Sequence, residues 1–170
     1  MVPSHWQALS VEGQFLLPTQ TLIFGGDVLP VSYIRDITSQ DSGVTIINHY
    51  GPTESTIGKL LHKVDPAVDY VTIPIGELFS DSEAYVVSGD MSLCPIGVPG
   101  ELLLGGSGIS KGYLNREDLT KEKFIVNPFE EGKSKVLYKT GDLVQRNALG
   151  QIVFLGRVDD QVKIRGYRVE

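Results

Sequence analysis

The sequence predicts an α/β (α+β) fold in which a short βαβ unit precedes a mostly antiparallel, β-rich or barrel-like part. Two apolar runs typical of buried strands, at 22–24 and 44–50, flank a segment at 31–40 whose apolar residues recur at helical spacing. After Pro66, short strand-like runs alternate with turns that contain glycine, a pattern typical of antiparallel sheets. The 19 glycines among 170 residues also favour many turns over long helices.

The first part of the chain is expected to hold two parallel strands joined by a helix. Ile34 and Ile37 carry the helical periodicity, and the polar residues at 39–43 would end the helix. A helical crossover between two strands of one sheet makes those strands parallel. The segment 55–64 stays open, because its alternating residues favour a strand whereas two adjacent leucines also suit a helix.

The second part is expected to form short antiparallel strands. The predicted strands are 84–87, 101–104, 135–139, 143–146 and 151–155. The sequence Asn-Ala-Leu-Gly at 147–150 predicts a hairpin turn between the last two strands, and residues 115–124 predict one or two helical turns. Residues 161–170 alternate like a strand without a partner, and such an exposed edge indicates a cut chain rather than a natural end.

Charge and composition argue against several classes of function. There are 15 Lys and Arg against 21 Asp and Glu, and the resulting net charge of −6 argues against general binding to nucleic-acid phosphates. No apolar run approaches the roughly 20 residues of a membrane helix, and residues 1–20 lack the basic and apolar regions of a signal peptide. Cys94 is the only cysteine, which excludes an internal disulfide or a multi-cysteine metal site. We therefore expect a cytoplasmic protein with no membrane or nucleic-acid partner.

A run of chemically diverse residues follows the second predicted strand. Residues 48–54 read Asn-His-Tyr-Gly-Pro-Thr-Glu, and ligands of α/β sheets gather beyond the carboxyl ends of strands. The run suits a nucleotide, since it offers a ring for stacking, an amide for base edges, a hydroxyl for phosphate and a carboxylate for Mg²⁺. Taken alone, it is better explained by an ordinary β-turn with a capping threonine and a solvated glutamate.

Three further motifs are individually weak. Residues 100–114 are rich in glycine, residues 138–143 read Tyr-Lys-Thr-Gly-Asp-Leu, and residues 156–166 mix basic and apolar residues. Glycines permit a close backbone turn, the aspartate could accept hydrogen bonds from a ribose diol, and the basic residues could meet phosphate or ribose oxygens. In isolation, a structural loop, an Asx-turn and a charged hairpin account for the three motifs.

The order and spacing of the four motifs are specific when they are taken together. Along the chain from Val2 to Glu170 they resemble those of the adenylate-forming enzymes, and within them the adenylation domains of non-ribosomal peptide synthetases. The run Gln-Val-Lys-Ile-Arg-Gly at 161–166 favours the amino-acid branch. The resemblance implies that ATP and an amino acid form an aminoacyl-adenylate and pyrophosphate. It further implies transfer of the acyl group to a phosphopantetheine thiol on a peptidyl carrier domain, in a protein that also contains a condensation domain.

The resemblance also implies roles for individual residues. Tyr50 would stack on adenine, Asn48 would bond the amino edge of the base, and Thr53 would contact phosphate. Glu54 would hold Mg²⁺, and Asp142 would bind the ribose hydroxyls. The implied nucleotide site as a whole comprises Asn48, Tyr50, Gly51, Thr53, Glu54, Asp142, Phe154, Arg157 and Lys163.

Residues for the amino acid and for domain motion also follow from the resemblance. The amino-acid pocket would be partly lined by Ile23, Gly25, His49, Ile57 and Gly58. Asp159 matches the hinge about which a small C-terminal unit rotates. We accordingly divide the chain into the end of a parallel α/β unit, a β-rich unit, and the hinge with the start of a further unit, at 1–65, 66–158 and 159–170.

Three parts of the family pattern have no counterpart in the sequence. They are the phosphate loop that ends in lysine, the aspartate for the substrate α-amino group, and the catalytic lysine, which is expected beyond Glu170. Without that lysine, charge that develops on the α-phosphate loses an electrostatic partner. We therefore interpret the chain as a fragment that holds no catalytic residue and is inactive alone. Two alternatives stay open: another adenylate-forming ligase, acting on acyl or aryl acids, and a non-catalytic nucleotide-binding module.

Overall fold

The first sheet of the structure has four strands and carries the predicted βαβ unit. The computed structural model describes residues 1–9, 16–40, 43–129, 133–159, 161–164 and 167–169. The elements of the first sheet are α1 (Pro3–Ala8), β1 (Thr21–Gly25), α2 (Val31–Gln40), β2 (Thr45–Tyr50), β3 (Leu60–Lys63) and β4 (Glu77–Leu78). β1 and β2 are parallel, whereas β3 pairs antiparallel with both β2 and β4.

The predictions for this sheet are confirmed. The helix α2 has both of its predicted bounds, and it connects two parallel strands. The open segment 55–64 contains the end of a 3₁₀ turn, Thr53–Ser55, followed by the strand β3. The alternating burial along β3 shows that the strand interpretation of this segment was the correct one.

An apolar core packs α1 and α2 against the first sheet. Leu22 and Phe24 alternate inward along β1, and Ile34 and Ile37 face them from α2. Trp6 of α1 is fully buried, with its ring centroid 5.6 Å from that of Phe24 in an edge-to-face arrangement. The sequence analysis missed α1, because a helix of six residues shows less than two turns of periodicity.

The second sheet has five antiparallel strands. Its elements are β5 (Ser82–Val87), β6 (Gly100–Gly106), α3 (Glu117–Lys123), β7 (Phe124–Val126), β8 (Val136–Arg146) and β9 (Ile152–Arg157). β6 lies between β5 and β8, and the other side of β8 pairs with β7 at one end and β9 at the other. The antiparallel prediction is confirmed, but the described strands form an open sheet and not a barrel. Neither β7 nor β9 pairs with β5, so the described sheet does not close.

The long strand β8 differs from the prediction. We predicted separate strands at 135–139 and 143–146, whereas the structure has one strand of 11 residues. Gly141, with φ 72°, lies where the pairing of β8 with β6 shifts register, opposite the step from Glu101 to Leu103, and the pairing resumes beyond it. The hairpin between β8 and β9 and the helix predicted before Phe124 are both confirmed.

A further pair of strands follows the second sheet. β10 (Val162–Ile164) and β11 (Tyr167–Val169) pair antiparallel with each other. The prediction of one unpaired strand at 161–170 is therefore wrong. Two short strands satisfy backbone hydrogen-bonding groups that a single exposed strand would leave open.

A second apolar core joins the two main sheets. Leu60 of β3 and Ile75 pack in one cluster with Leu102 of β6 and Ile152 of β9. The backbone reinforces this junction, because the amide of Ile75 donates to the carbonyl of Ile152 and the amide of Ile152 donates to the carbonyl of Gly76, each at 2.9 Å. The junction brings the end of β2 close to β8 and β9.

Two expectations concern the chain as a whole. β4 lies beyond residue 66 and still pairs in the first sheet, so strand pairing crosses the first boundary drawn from the sequence. The division into 1–65, 66–158 and 159–170 stays a prediction.

Among the described residues, no helix is long and apolar enough to cross a membrane, and the longest, α2, has ten residues.

Candidate functional site

A cavity of about 400 Å³ opens between the two main sheets. The end of β2 and the turn after it contribute Asn48, His49, Tyr50, Gly51 and Thr53 to its wall. The strands β8 and β9 contribute Asp142, Phe154 and Arg157 from the other sheet. Residues from motifs that lie far apart in the sequence therefore surround one cavity. The cavity lies at the carboxyl end of a parallel strand, where α/β sheets usually bind ligands.

A tyrosine, an aspartate and an arginine form the centre of this wall. The Tyr50 hydroxyl donates a hydrogen bond to Oδ2 of Asp142, and Nη1 of Arg157 donates to Oδ1 at 2.7 Å. Asp142 is only 5% exposed, so its charge depends on these partners. An ionised carboxylate offers about four lone-pair sites, so Asp142 keeps capacity for further donors such as ribose hydroxyls.

The charge states of Tyr50 and Arg157 follow from their surroundings. Burial raises the pKa of Tyr50 well above its ordinary value, and the negative charge of Asp142 raises it further, so the hydroxyl stays a donor. Burial alone would lower the pKa of Arg157, but hydrogen bonds to Asp159 and the charge of Asp142 outweigh burial and raise it. The wall therefore presents a neutral donor and a cation around one carboxylate.

Arg157 also binds Asp159, the residue predicted to be a hinge. Its Nε donates to Oδ1 of Asp159 at 2.8 Å and its Nη2 donates to Oδ2 at 2.6 Å, a bidentate pair. Its Nη1 donates in addition to the carbonyl of Thr140 at 3.0 Å. Burial would raise the pKa of Asp159, but these bonds from Arg157 outweigh it and lower the pKa. One guanidinium thus connects β8, β9 and the segment that follows β9.

Asn48 is oriented by the backbone opposite it. Its Nδ2 donates to the carbonyl of Pro74 at 2.9 Å, and its side chain is buried. Because a carbonyl can only accept, this bond determines which end of the amide is the nitrogen. The other end of the amide is therefore the oxygen, the atom that would accept from an amino group as predicted for Asn48.

His49 is the one predicted pocket residue that lines the cavity. A Cβ built on Gly58 would lie 2.2 Å from Nε2 of His49, and one built on Gly25 would lie 2.8 Å from its carbonyl oxygen, so both glycines leave room for His49. Burial lowers the pKa of His49, which favours the neutral imidazole. Ile23 and Ile57 are about half exposed or more and lie outside the cavity wall. The amino-acid pocket as a whole stays a prediction.

Glu54 and Lys163 are placed differently from the other predicted nucleotide residues. Glu54 lies in the 3₁₀ turn, is 7% exposed and does not line the cavity. Its Oε1 accepts a hydrogen bond from the hydroxyl of Tyr113 at 2.6 Å. Lys163 lies in β10, and its side chain is outside the described part of the structure.

Comparisons with known proteins identify the family of this chain. Residues 1–114 match the family described as AMP-binding enzyme. The chain belongs to the AMP-binding enzyme family. Gramicidin S synthase 2 of Brevibacillus brevis is 44% identical to it over 151 residues, which are 89% of this chain and 3% of that protein.

Solved structures place this AMP-binding chain among adenylation domains. Holo-PA1221, an NRPS protein containing adenylation and PCP domains, matches with a TM-score of 0.82 and 31% identity, over 88% of this chain and 26% of that one. The Vibrio cholerae adenylation domain AlmE, solved with glycyl-adenosine-5'-phosphate, matches with a TM-score of 0.78 and 31% identity, over 89% and 28%. The resemblance stated from the motifs is confirmed. The chain spans a small part of the length of each of these relatives.

The sequence analysis of this AMP-binding chain missed two residues that support the site. The Thr140 hydroxyl donates to the carbonyl of Leu102 at 2.7 Å and accepts from the amide of Asp142 at 3.0 Å, so it fixes the backbone that carries the aspartate. Tyr113 contacts Glu54 across the two sheets. Thr140 lies in the motif at 138–143 and Tyr113 in the motif at 100–114. These positions were the only indication in the sequence that the two residues support the site.

The donor groups of the AMP-binding chain fit one mode of Mg²⁺ binding. Among the described residues, no group of three or more His, Cys, Asp or Glu side chains is arranged to hold a metal ion. Mg²⁺ at nucleotide sites is usually held by one or two carboxylates together with phosphates and water. Glu54 is the carboxylate that would serve in that mode, because it directly follows the cavity-lining Thr53 in the sequence.

Proposed function

We propose that the natural protein carrying this chain is an amino-acid-activating, ATP-dependent ligase, and that the chain supplies the adenosine side of its ATP site. In the first step the amino-acid carboxylate attacks the α-phosphorus of ATP, forming aminoacyl-AMP and releasing pyrophosphate. In the second step a phosphopantetheine thiol attacks the acyl carbon and releases AMP. The observation that carries this proposal is the junction of Tyr50, Asp142 and Arg157 on one cavity wall.

Each group of this wall matches a part of adenosine monophosphate. The ring of Tyr50 supplies a face for the adenine, and base stacking on aromatic side chains tolerates a range of geometries. The oxygen of Asn48 accepts from the amino edge of the base, and Asp142 accepts from the ribose hydroxyls. Arg157 supplies positive charge beside the ribose and phosphate. Phe154 and Gly51 complete the apolar and backbone walls.

Thr53 and Glu54 are assigned to the phosphate end. Thr53 lines the cavity and its hydroxyl would donate to a phosphate oxygen, and Glu54, the next residue, would hold Mg²⁺. Bound Mg²⁺ supplies charge neutralisation for the departing pyrophosphate. We assign Lys163 to the ribose, Asp159 to the hinge, and the amino-acid pocket to Ile23, Gly25, His49, Ile57 and Gly58.

The similar proteins support the assignment of partners. One relative is a gramicidin S synthase, and one structural neighbour contains adenylation and PCP domains. We assign to the natural protein a peptidyl carrier domain that bears phosphopantetheine, and a condensation domain beside it. We also place it in the cytoplasm, without a nucleic-acid or membrane partner.

Amino-acid-dependent ATP–pyrophosphate exchange by the full-length natural protein tests the proposal. We expect exchange with one or a few amino acids, and none from the 170-residue chain alone, since its sequence lacks the phosphate loop and the catalytic lysine. Asp142→Asn should raise the KM for ATP about tenfold, equivalent to about 1.4 kcal/mol of lost binding. Asp118→Asn is the matched control, because Asp118 also binds an arginine, Arg116 at 3.0 Å, but on the exposed surface of α3.

Three results would contradict the proposal. The first is the absence of exchange by the full-length protein with any standard amino acid or common aryl acid. The second is a KM for ATP that Asp142→Asn and Asp118→Asn change equally. The third is exchange with aryl or acyl acids alone, which would assign the chain to another branch of the adenylate-forming ligases.

A further inference from the structure

The loop after β6 is bound tightly to the turn that carries Glu54. We call residues 107–113 the glycine loop. The hydroxyl of Thr56 donates to the carbonyl of Gly108 at 2.7 Å, and the ammonium of Lys59 donates to the carbonyl of Ser107. The backbone amide of Ser110 donates to the carbonyl of Glu54 at 2.8 Å. The glycine loop of the second sheet therefore holds a turn of the first sheet through its backbone.

The turn that receives these contacts has an unusual backbone. Thr56 and Ile57 have φ values of 59° and 70°, in the left-handed region that β-branched residues rarely adopt. Such a conformation persists only where surrounding contacts hold it, and it is commonest at functional sites. The bond from Thr56 to Gly108 is one of those contacts. The position of Glu54 is thus determined by the glycine loop as well as by its own 3₁₀ turn.

Tyr113 ends the glycine loop and is fixed independently of Glu54. Its backbone amide donates to the hydroxyl of Thr120 at 2.9 Å, and its ring lies edge-to-face with Phe124, with centroids 5.6 Å apart. Gly112 allows this approach, because a Cβ there would lie 2.3 Å from Cγ2 of Thr120 and its φ is 132°. The contacts with Thr120 and Phe124 therefore position Tyr113 independently of the hydrogen bond that its hydroxyl donates to Oε1 of Glu54.

We propose that Tyr113 is a positioning residue that holds the Glu54 carboxylate in the orientation in which it takes a divalent cation. This inference rests on the proposed function, in which Glu54 serves the cation that accompanies the nucleotide. A carboxylate with free rotation about its side-chain torsions would have to be ordered when the cation binds. A donor from a rigid tyrosine removes that cost, as hydrogen-bonded partners of metal ligands do elsewhere.

The test compares Tyr113→Phe with Tyr85→Phe in the full-length natural protein. Tyr85 is a matched control, because its hydroxyl also donates to a glutamate, Oε2 of Glu83 at 2.9 Å, and its ring also packs on a phenylalanine. Binding of a fluorescent ATP analogue is measured in EDTA and during titration with Mn²⁺. We expect Tyr113→Phe to raise the Mn²⁺ concentration for half-maximal tightening about tenfold, and to leave binding in EDTA unchanged. Tyr85→Phe should change neither quantity.

A second variant and a second readout separate two roles of Tyr113: orienting the Glu54 carboxylate, and a structural tie that only holds the glycine loop against the turn. Thr120→Val removes the acceptor for the Tyr113 amide and should shift the Mn²⁺ midpoint in the same direction, but less. Amide hydrogen exchange should increase at 107–113 and 53–56 in Tyr113→Phe, and should stay unchanged at 83–87. Faster exchange with an unchanged Mn²⁺ midpoint would show a structural tie alone and would overturn the inference.

Measurements on the wild-type protein separate a failure of the inference about Tyr113 from a failure of the proposed function. If it binds the ATP analogue and responds to Mn²⁺ while Tyr113→Phe behaves like wild type, the inference fails and the proposed function stands. If it binds the analogue without any response to Mn²⁺, the inference fails together with the assignment of Glu54 to Mg²⁺, and the assignment of the adenosine site stands. If it binds no analogue in EDTA or Mn²⁺, the proposed function fails and the inference fails with it.

Discussion

We propose that the two ends of the Tyr50 side chain serve different purposes. Its hydroxyl donates to Asp142, 92 residues further along the sequence, and the residue also lines the cavity, where its ring is assigned to the base. The sequence motif predicted the ring as a stacking surface, but it carried no sign of the hydroxyl bond. The bond depends on two strands of different sheets meeting at the cavity, and local sequence does not encode such a meeting.

Two substitutions of Tyr50 should separate these purposes. Tyr50→Phe removes a buried hydrogen bond to a charged group and should lower the free energy of unfolding by about 1–3 kcal/mol, with little change in ATP affinity. Tyr50→Leu also removes the stacking face and should weaken ATP binding by about 1–3 kcal/mol. Urea unfolding and calorimetric titration with ATP measure the two effects. Equal ATP affinity in the two variants would contradict the stacking role.

Two histidines predict how stability depends on pH. Burial lowers the pKa of His49 and of His62, whose ring contacts the hydroxyl of Tyr70 at 3.0 Å. As pH falls below about 6.5, where free histidine titrates, the unfolded chain takes up protons that the folded chain resists. The free energy of unfolding should therefore decrease from pH 7.5 to 5.5, by at most about 1.4 kcal/mol per pH unit for each histidine.

Urea unfolding at the two pH values tests this linkage. His62→Gln should flatten the pH dependence, because it removes one of the two titrating groups. His5→Gln is the control, since His5 is exposed at the end of α1. A decrease in stability that His62→Gln leaves as steep as in wild type would contradict the assignment.

At the scale of elements, β8 carries Asp142 and is one strand where the sequence predicted two. The sequence suggested two strands because Thr140, Gly141 and Asp142 resemble a turn. In the structure the same residues lie inside one strand, where Gly141 adopts a left-handed φ and the pairing with β9 begins at the next residue, Asp142. Asp142 thereby stays in register with Arg157, its partner on β9. The turn chemistry was read correctly, but its use as a bulge within a strand was not.

Gly141→Ala should disturb this arrangement more than an ordinary glycine substitution does. A Cβ at Gly141 would lie 2.7 Å from Nη2 of Arg157 and 2.7 Å from Oδ2 of Asp159, whereas one at Gly150 would meet nothing within 4 Å. Both glycines have similar positive φ values, at 72° and 80°. Gly150→Ala should cost about 1–2 kcal/mol of stability from backbone strain alone. Gly141→Ala should cost more and should also weaken ATP binding.

The comparison of the two glycine variants separates the effect on the Arg157–Asp159 pair from the backbone strain that both variants share. Urea unfolding gives the difference in stability, and calorimetric titration with ATP gives the difference in affinity. Equal losses of stability and unchanged affinity in both variants would show that the pairing of Arg157 with Asp159 does not support the site.

At the scale of the whole molecule, the sequence predicted the parts better than their assembly. The βαβ unit followed from apolar periodicity around Ile34 and Ile37, because that periodicity is local. The short β4 was missed, since two residues, Glu77 and Leu78, carry no recognisable pattern. Only the motif resemblance indicated the cavity. Local sequence patterns could not predict it, because its walls come from two sheets that meet through the core around Leu60.

The central claim is that this cavity takes an adenine nucleotide with the ring of Tyr50 at the base and Asp142 at the ribose. A crystal structure of the full-length natural protein with AMP tests it most directly. We predict the adenine against the ring of Tyr50, its amino group on the oxygen of Asn48, and both ribose hydroxyls within hydrogen-bonding distance of Asp142. AMP bound outside the cavity, or bound inside it with the ribose away from Asp142, would contradict the account.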